Sequence, residues 1–216
     1  MPVRSASPVP ALLRLAKSGA AGRREVLESG NAAVLLRHAE AGDEAAARAL
    51  LHLSLDGDDT RVGLVADGAV DALSAAVSRG GAAAASAATA LTSLATVDVN
   101  KCTIGAHPSA IPALAGLLRR GGPRERREAA TALFELCKLP ENRRRAVREG
   151  AASALADFTA DGSALAVMRE AERVAGTGNR KKERKGERKK KAAGVRMSFH
   201  RYSLSSTGRS RFKMAS

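Results

Sequence analysis

One stretch of this sequence repeats, and the repeat limits the fold more than any other feature does. Residues 109–150, SAIPALAGLLRRGGPRERREAATALFELCKLPENRRRAVREG, overlay two upstream segments. Ala132-Leu133-Phe134-Glu135-Leu136 then falls on Ala90-Leu91-Thr92-Ser93-Leu94 and on Ala49-Leu50-Leu51-His52-Leu53. The lead positions Gly30, Gly68, Ser109 and Gly150 are 38, 41 and 41 residues apart. A period of this length belongs to helical solenoids. A glycine also stands twelve residues after each lead position, at Gly42, Gly80, Gly121 and Gly162. These are the points where a helix must stop and the chain reverse.

Each unit divides into helices by its apolar spacing. Ile111, Leu114, Leu117 and Leu118 form one helical stripe, and Pro112 lies in the first turn, where a missing N–H costs little. Pro123 opens the next helix, whose buried face is marked by Ala129, Ala132, Leu133 and Leu136. A short third helix is expected over residues 141–149, closed by Gly150. Alanines facing larger residues let neighbouring helices approach closely. One such unit cannot bury its apolar face alone, so roughly three must stack before a core exists.

Residues 100–150 resemble armadillo repeats, and in particular the armadillo region of plant U-box ubiquitin ligases. The resemblance rests on Ser109-Ala110-Ile111-Pro112-Ala113-Leu114, on the Ala-Leu-x-x-Leu helix, and on the Asn-Lys/Arg steps Asn100-Lys101 and Asn142-Arg143. It implies an all-α, right-handed superhelical solenoid of about three repeats with degenerate terminal units. It also implies a protein-binding role in ubiquitin transfer, with substrate held by the repeats. No stretch resembles the U-box itself, which engages the conjugating enzyme, so this chain is expected to carry no catalytic site.

The expected organisation is a leader with a partial repeat over 1–22, armadillo repeats over 23–176, and a disordered basic tail over 177–216. Asp59 stands where the repeat expects asparagine, and the fourth unit keeps Gly162 but loses the Ala-Leu-x-x-Leu core, as a terminal cap would. Near the N-terminus, Val9-Pro10-Ala11-Leu12-Leu13-Arg14-Leu15 reads as the start of a unit. Only eleven residues then separate Gly19 from Gly30, which leaves room for one helix fewer than the pattern requires.

Charge divides the chain in the same way. Of the formal net charge of +14, residues 179–216 contribute +12, from 14 Lys/Arg against 2 Glu. The run Arg180, Lys181, Lys182, Arg184, Lys185, Arg188, Lys189, Lys190 and Lys191 is too charged to form a core. Three readings of it stand: a nuclear-localisation signal that an importin would engage, a solvated tail, and a contact with nucleic acid or an acidic surface.

Several functional classes find no support. Cys102 and Cys137 are 35 residues apart and lack both a Cys-x-x-Cys motif and a histidine at ligand spacing. Neither a metal site nor a disulfide framework is indicated, and no cofactor is expected. His38, His52, His107 and His200 are scattered. Gly80-Gly81 lacks the Lys-Ser/Thr of a phosphate loop. Asp43-Glu44 and Asp58-Asp59 fit helix starts, where negative charge meets the positive end of the helix dipole. Arg14 and Lys17 interrupt the only run resembling a signal peptide, so the expected location is nucleus or cytoplasm, without secretion. The uncharged stretch 80–97 aligns with a repeat helix and is not expected to span a membrane.

The candidate site is a groove. In armadillo solenoids the longest helix of each unit lines the concave face, and residues four apart on it form rows. One row here is Arg48, Thr89, Thr131; the next is His52, Ser93, Glu135. Neither holds the tryptophan and asparagine ladder of the importin-type groove that clamps basic peptides. Two readings stand, an extended protein partner in the groove or a solvated polar face. A nuclear armadillo scaffold that binds nucleic acid or chromatin through its tail is the alternative function.

Overall fold

The structure is a computed structural model that describes residues 7–160. The basic tail and the Gly162 turn lie outside the described residues. Within them the chain forms α1 (Val9–Lys17), α2 (Ala20–Glu28), α3 (Ala32–Glu40), α4 (Glu44–Leu53), α5 (Asp58–Ala66) and α6 (Ala69–Arg79). These are followed by α7 (Ala82–Leu94), α8 (Asp98–Ala106), α9 (Ala110–Arg120), α10 (Pro123–Leu136), α11 (Pro140–Arg148) and α12 (Ala151–Ala160). No strand occurs among the described residues.

Two helix layers run through the stack. One is α1, α4, α7 and α10, each packed on the next; the other is α3, α6, α9 and α12. The short helices α2, α5, α8 and α11 join one unit to the following one. The core between the layers is aliphatic: Leu50, Leu53, Leu73, Leu91, Leu94, Leu114, Leu118, Leu133 and Leu136 are all buried. Ala83, Ala84, Ala87, Ala88 and Ala90 on α7 are buried too, and their small size lets α7 pack against α4, α6 and α10 together.

The helix ends follow the local chemistry. Asp43 caps α4 by accepting hydrogen bonds from the backbone N–H groups of Ala45 (2.8 Å) and Ala46 (3.2 Å). Asp58 and Asp59 occupy the first turn of α5. At Gly68 the chain enters α6 in the left-handed region, with φ 92°, where a side chain would be strained. Gly121 ends α9 for another reason. Its backbone is extended, with φ −72° and ψ 161°, but a Cβ there would lie 2.6 Å from the Leu117 carbonyl oxygen.

Two expectations are corrected. Val9–Lys17 is not the start of a unit: α1 packs against α4 and so belongs to the layer formed by the second helix of each unit. No helix is missing after it, because α2 is the short connecting helix, and the expected boundary at residue 23 falls inside α2. A first-turn proline with a leucine stripe is no mark of one layer: Pro112 lies in the first turn of α9 and Pro10 in that of α1. The second correction concerns Asp59. Asn100 and Asn142 are each the third residue of a short helix, and in α5 that place is taken by Thr60, with Asp59 exposed. The loop before α5 is one residue longer than those before α8 and α11, so the sixth residue after Leu53 falls one place short.

Those two asparagines fasten the connecting helices, and Asn142 also reaches the preceding unit. Asn100 Nδ2 donates to the carbonyl oxygen of Leu94, the last residue of α7, at 3.1 Å. Asn142 Nδ2 donates to that of Leu136, the last residue of α10, at 3.0 Å, and to that of Lys101 in α8 at 2.9 Å. The Leu94 and Leu136 carbonyls also accept from the backbone N–H groups of Val97 (3.5 Å) and Leu139 (3.2 Å), so each amide adds a second hydrogen bond at a helix C-terminus while tying a connecting helix to the layer behind it.

Candidate interaction face

The residues of the two expected rows stand on α4, α7 and α10. Arg48 and His52 on α4, Thr89 and Ser93 on α7, and Thr131 and Glu135 on α10 are exposed or half-buried beside the core residues of the same helices. Helical geometry then extends the face to residues the sequence reading left out. Leu51, Thr92 and Phe134 form a third row. Leu55, Thr96 and Lys138 form a fourth, in the turns that follow α4, α7 and α10. Among these, Leu55 is 53% and Phe134 47% exposed. The signal for the two added rows was already in the alignment that placed Phe134 on Thr92 and Leu51.

Several of the polar groups are bound within the protein. Ser54 Oγ donates to Ser93 Oγ at 2.8 Å, bridging α4 and α7. Thr89 Oγ1 lies 2.9 Å from the Ala85 carbonyl oxygen and 3.1 Å from Glu128 Oε2 on α10. Thr92 and Thr131 donate to backbone carbonyls one turn earlier in their own helices, at 3.0 Å each. The middle of the face therefore has short side chains with their hydrogen bonds made.

The charges are distributed unevenly. At the α10 end, Glu135 is paired with Lys101 (3.3 Å) and with Lys138, and Glu128 with Arg127 (3.5 Å). Burial draws the Lys101 pKa down, but hydrogen bonds to Asp98 and Glu135 and the attraction of both carboxylates outweigh it and leave the ammonium above its ordinary value. At the α1 and α4 end the charges are cationic. Arg23 on α2 pairs with Asp56 at 2.9 Å, whereas Arg14, Lys17 and Arg48 are exposed. Burial, and then the nearby Lys17, Arg48 and Arg23, push the His52 imidazole below its usual range, so it is neutral at physiological pH.

No protein-family model matches the chain. Over 161 residues the chain is 44% identical to U-box domain-containing protein 8 of Arabidopsis thaliana, a match covering 72% of this chain and 43% of that protein. The chain thus spans less than half the length of the curated relative it matches. Among solved structures, an engineered protein superposes with a TM-score of 0.63 at 24% identity, covering 69% of this chain and 38% of the other. A designed armadillo repeat protein in complex with peptide (KR)4 superposes with a TM-score of 0.61 at 18% identity, covering 70% of this chain and 66% of the other. The chain has the armadillo-repeat solenoid fold.

Within the described armadillo units no group of three His, Cys, Asp or Glu side chains could hold a metal. No helix there is long and apolar enough to cross a membrane. Cys137 is half-buried, and burial pushes its thiol pKa up, with Arg143 opposing only in part. That is the reverse of what activates a nucleophilic cysteine. Cys102 is exposed. His107 Nε2 lies 2.8 Å from Asp71 Oδ1 and its Nδ1 lies 3.1 Å from Ser109 Oγ. The Ser-His-Asp order has a triad's composition, but it sits at the turn that leads into α9, with Asp71 75% exposed, and joins successive armadillo units.

Proposed function

We propose that this chain holds a partner protein on the face of α4, α7 and α10 and performs no bond-making chemistry itself. In this reading it corresponds to the substrate- or partner-recruiting armadillo region of a plant U-box-type ubiquitin ligase. The observation that carries the proposal is the set of four aligned rows on three stacked helices, which offers exposed Arg48, Leu55 and Phe134 around a floor of small hydroxyl side chains. The 44% identity to a U-box protein supports the ligase setting. Such a ligase gains rate by holding the charged conjugating enzyme beside its substrate. A chain that binds without the U-box surface would occupy the substrate and deliver nothing.

Incubated with activating enzyme, conjugating enzyme, ubiquitin and ATP, the purified chain is expected to form no conjugates. Added to a U-box relative of full length, it should lower conjugation of a shared substrate as its concentration rises. Conjugation by the isolated chain, lost on Cys102→Ser or Cys137→Ser, would refute the binding role.

A second reading is favoured by the +12 charge of residues 179–216. There the repeats bind protein in the nucleus and the tail binds phosphate. Salt separates the two: retention on nucleic acid through the tail should fall steeply between low and physiological salt, and capture on the armadillo face much less.

A further inference from the structure

The face has a built-in polarity that selects among extended partners. Its carboxylates are occupied: Glu135 by Lys101 and Lys138, Glu128 by Thr89 and Arg127, and Asp56 by Arg23. Its cations at the other end are not. Arg14, Lys17 and Arg48 are exposed, and none forms an ion pair among the described residues. The helix α1 carries no acidic residue, and α4 carries only Glu44, in its first turn. Lys17 and Arg48 act on the same imidazole, that of His52, so α1 and α4 direct their charge to one place. Arg14, three residues before Lys17, shares its side of α1.

Beside these cations the face turns small and then apolar. Thr92 and Thr96 on and after α7 donate to the carbonyls of Ala88 and Ser93, and the single Thr89 hydroxyl proton is shared between the Ala85 carbonyl and Glu128 Oε2, which leaves all three short and engaged. Leu55 (53% exposed) and Phe134 (47% exposed) stand on either side of that floor. An extended chain laid across it meets cations first, a shallow polar floor next, and an exposed aromatic ring at the α10 end.

We infer that the α1–α4–α7–α10 face takes an extended acidic protein segment, with its carboxylates on Arg14, Lys17 and Arg48 and an apolar side chain against Leu55 or Phe134. The inference rests on the binding role proposed above and names the partner's chemistry. It excludes a Lys/Arg peptide of the kind in the designed armadillo complex, because the carboxylates such a peptide needs are already paired within this protein. Complementary charge of this sort sets selectivity and the rate of encounter more than raw affinity.

The test uses the full chain and a display library of random peptides selected for binding to it. Two variants separate the contributions: Lys17→Glu with Arg48→Glu, and a tail variant with Lys189, Lys190 and Lys191 changed to Gln. Enrichment of Glu/Asp-rich peptides containing a Phe, Leu or Ile is expected. Their affinity should fall by about tenfold or more in the charge-reversed face variant and stay within about twofold in the tail variant, with the melting temperature of both unchanged. Phe134→Ala should also weaken the peptides while leaving the melt alone. Enrichment of neutral or basic peptides that Phe134→Ala still weakens would overturn the acidic assignment and leave the binding face standing. Peptides indifferent to every face substitution would overturn both. Acidic peptides lost in the tail variant, or displaced by a single-stranded oligonucleotide that binds with equal strength, would assign the anion site to the tail instead.

Discussion

Leu133→Asp is expected to abolish the cooperative thermal transition of this protein. Leu133 is fully buried on α10, in the layer that packs against α7 and α9. Truncating such a leucine costs about 2–5 kcal/mol, and placing an unpaired carboxylate in the same space adds several kcal/mol more. Together these approach the whole stability of a typical domain, about 5–15 kcal/mol. In a solenoid the loss spreads, since each unit is held chiefly by its neighbours. The adjacent residue supplies the control. Phe134 is 47% exposed, and Phe134→Asp should shift the melt only slightly, as exposed substitutions do. Circular dichroism read against temperature checks both. A melt unchanged by Leu133→Asp, or a larger loss with Phe134→Asp, would mean that α10 presents a different side to the core.

The second large effect is expected at Gly105. A Cβ at that position would stand 1.9 Å from Asn142 Oδ1 and 2.2 Å from Nδ2, so Gly105→Ala must drive the Asn142 amide out of place. Asn142 is fully buried, and its Nδ2 donates to the carbonyls of Lys101 and Leu136. The Leu136 carbonyl keeps its bond from the Leu139 N–H, but the two buried amide N–H donors of Asn142 lose their acceptors, at about 1–3 kcal/mol each. The better helix propensity of alanine returns only about 1 kcal/mol. A net loss of roughly 2 kcal/mol or more is therefore expected, read as a lower denaturant midpoint. A double-mutant cycle isolates the cause. In an Asn142→Ala background the same Gly105→Ala change should cost nothing or stabilise by up to about 1 kcal/mol. An equal cost in both backgrounds would show that Gly105 is needed for something other than room for that amide.

Much of the architecture was legible in the sequence because a solenoid repeats its contacts along the chain. Period, glycine turns and leucine stripes each point to the same stacked units, and the predicted rows on α4, α7 and α10 stand on those helices. The N-terminal helix was misread for a physical reason. Val9–Lys17 carries the proline and leucine pattern of either layer, and only its packing on α4 shows which layer it joins. Asp59 lies six residues after Leu53, as Asn100 does after Leu94 and Asn142 after Leu136, but a helix counts from its own first residue, which puts Thr60 in the asparagine's place.

The groove divides along the same line. Which residues share a face follows from 3.6 residues per turn, so the rows could be drawn from the sequence, and even the missed Phe134 row was implicit in it. Which of them remain available follows from contacts between units that no local pattern encodes. Glu135 is consumed by Lys101, 34 residues away, and Thr89 reaches Glu128, 39 residues away. The sequence by itself determined the repeat, the helical units and the faces they turn to the core, because these depend on spacing within one helix. Tertiary structure alone decided the layer to which α1 belongs, the use of Asn142 as a staple to Lys101, and the surplus of cations at the α1–α4 end, because each depends on how one unit lies against the next.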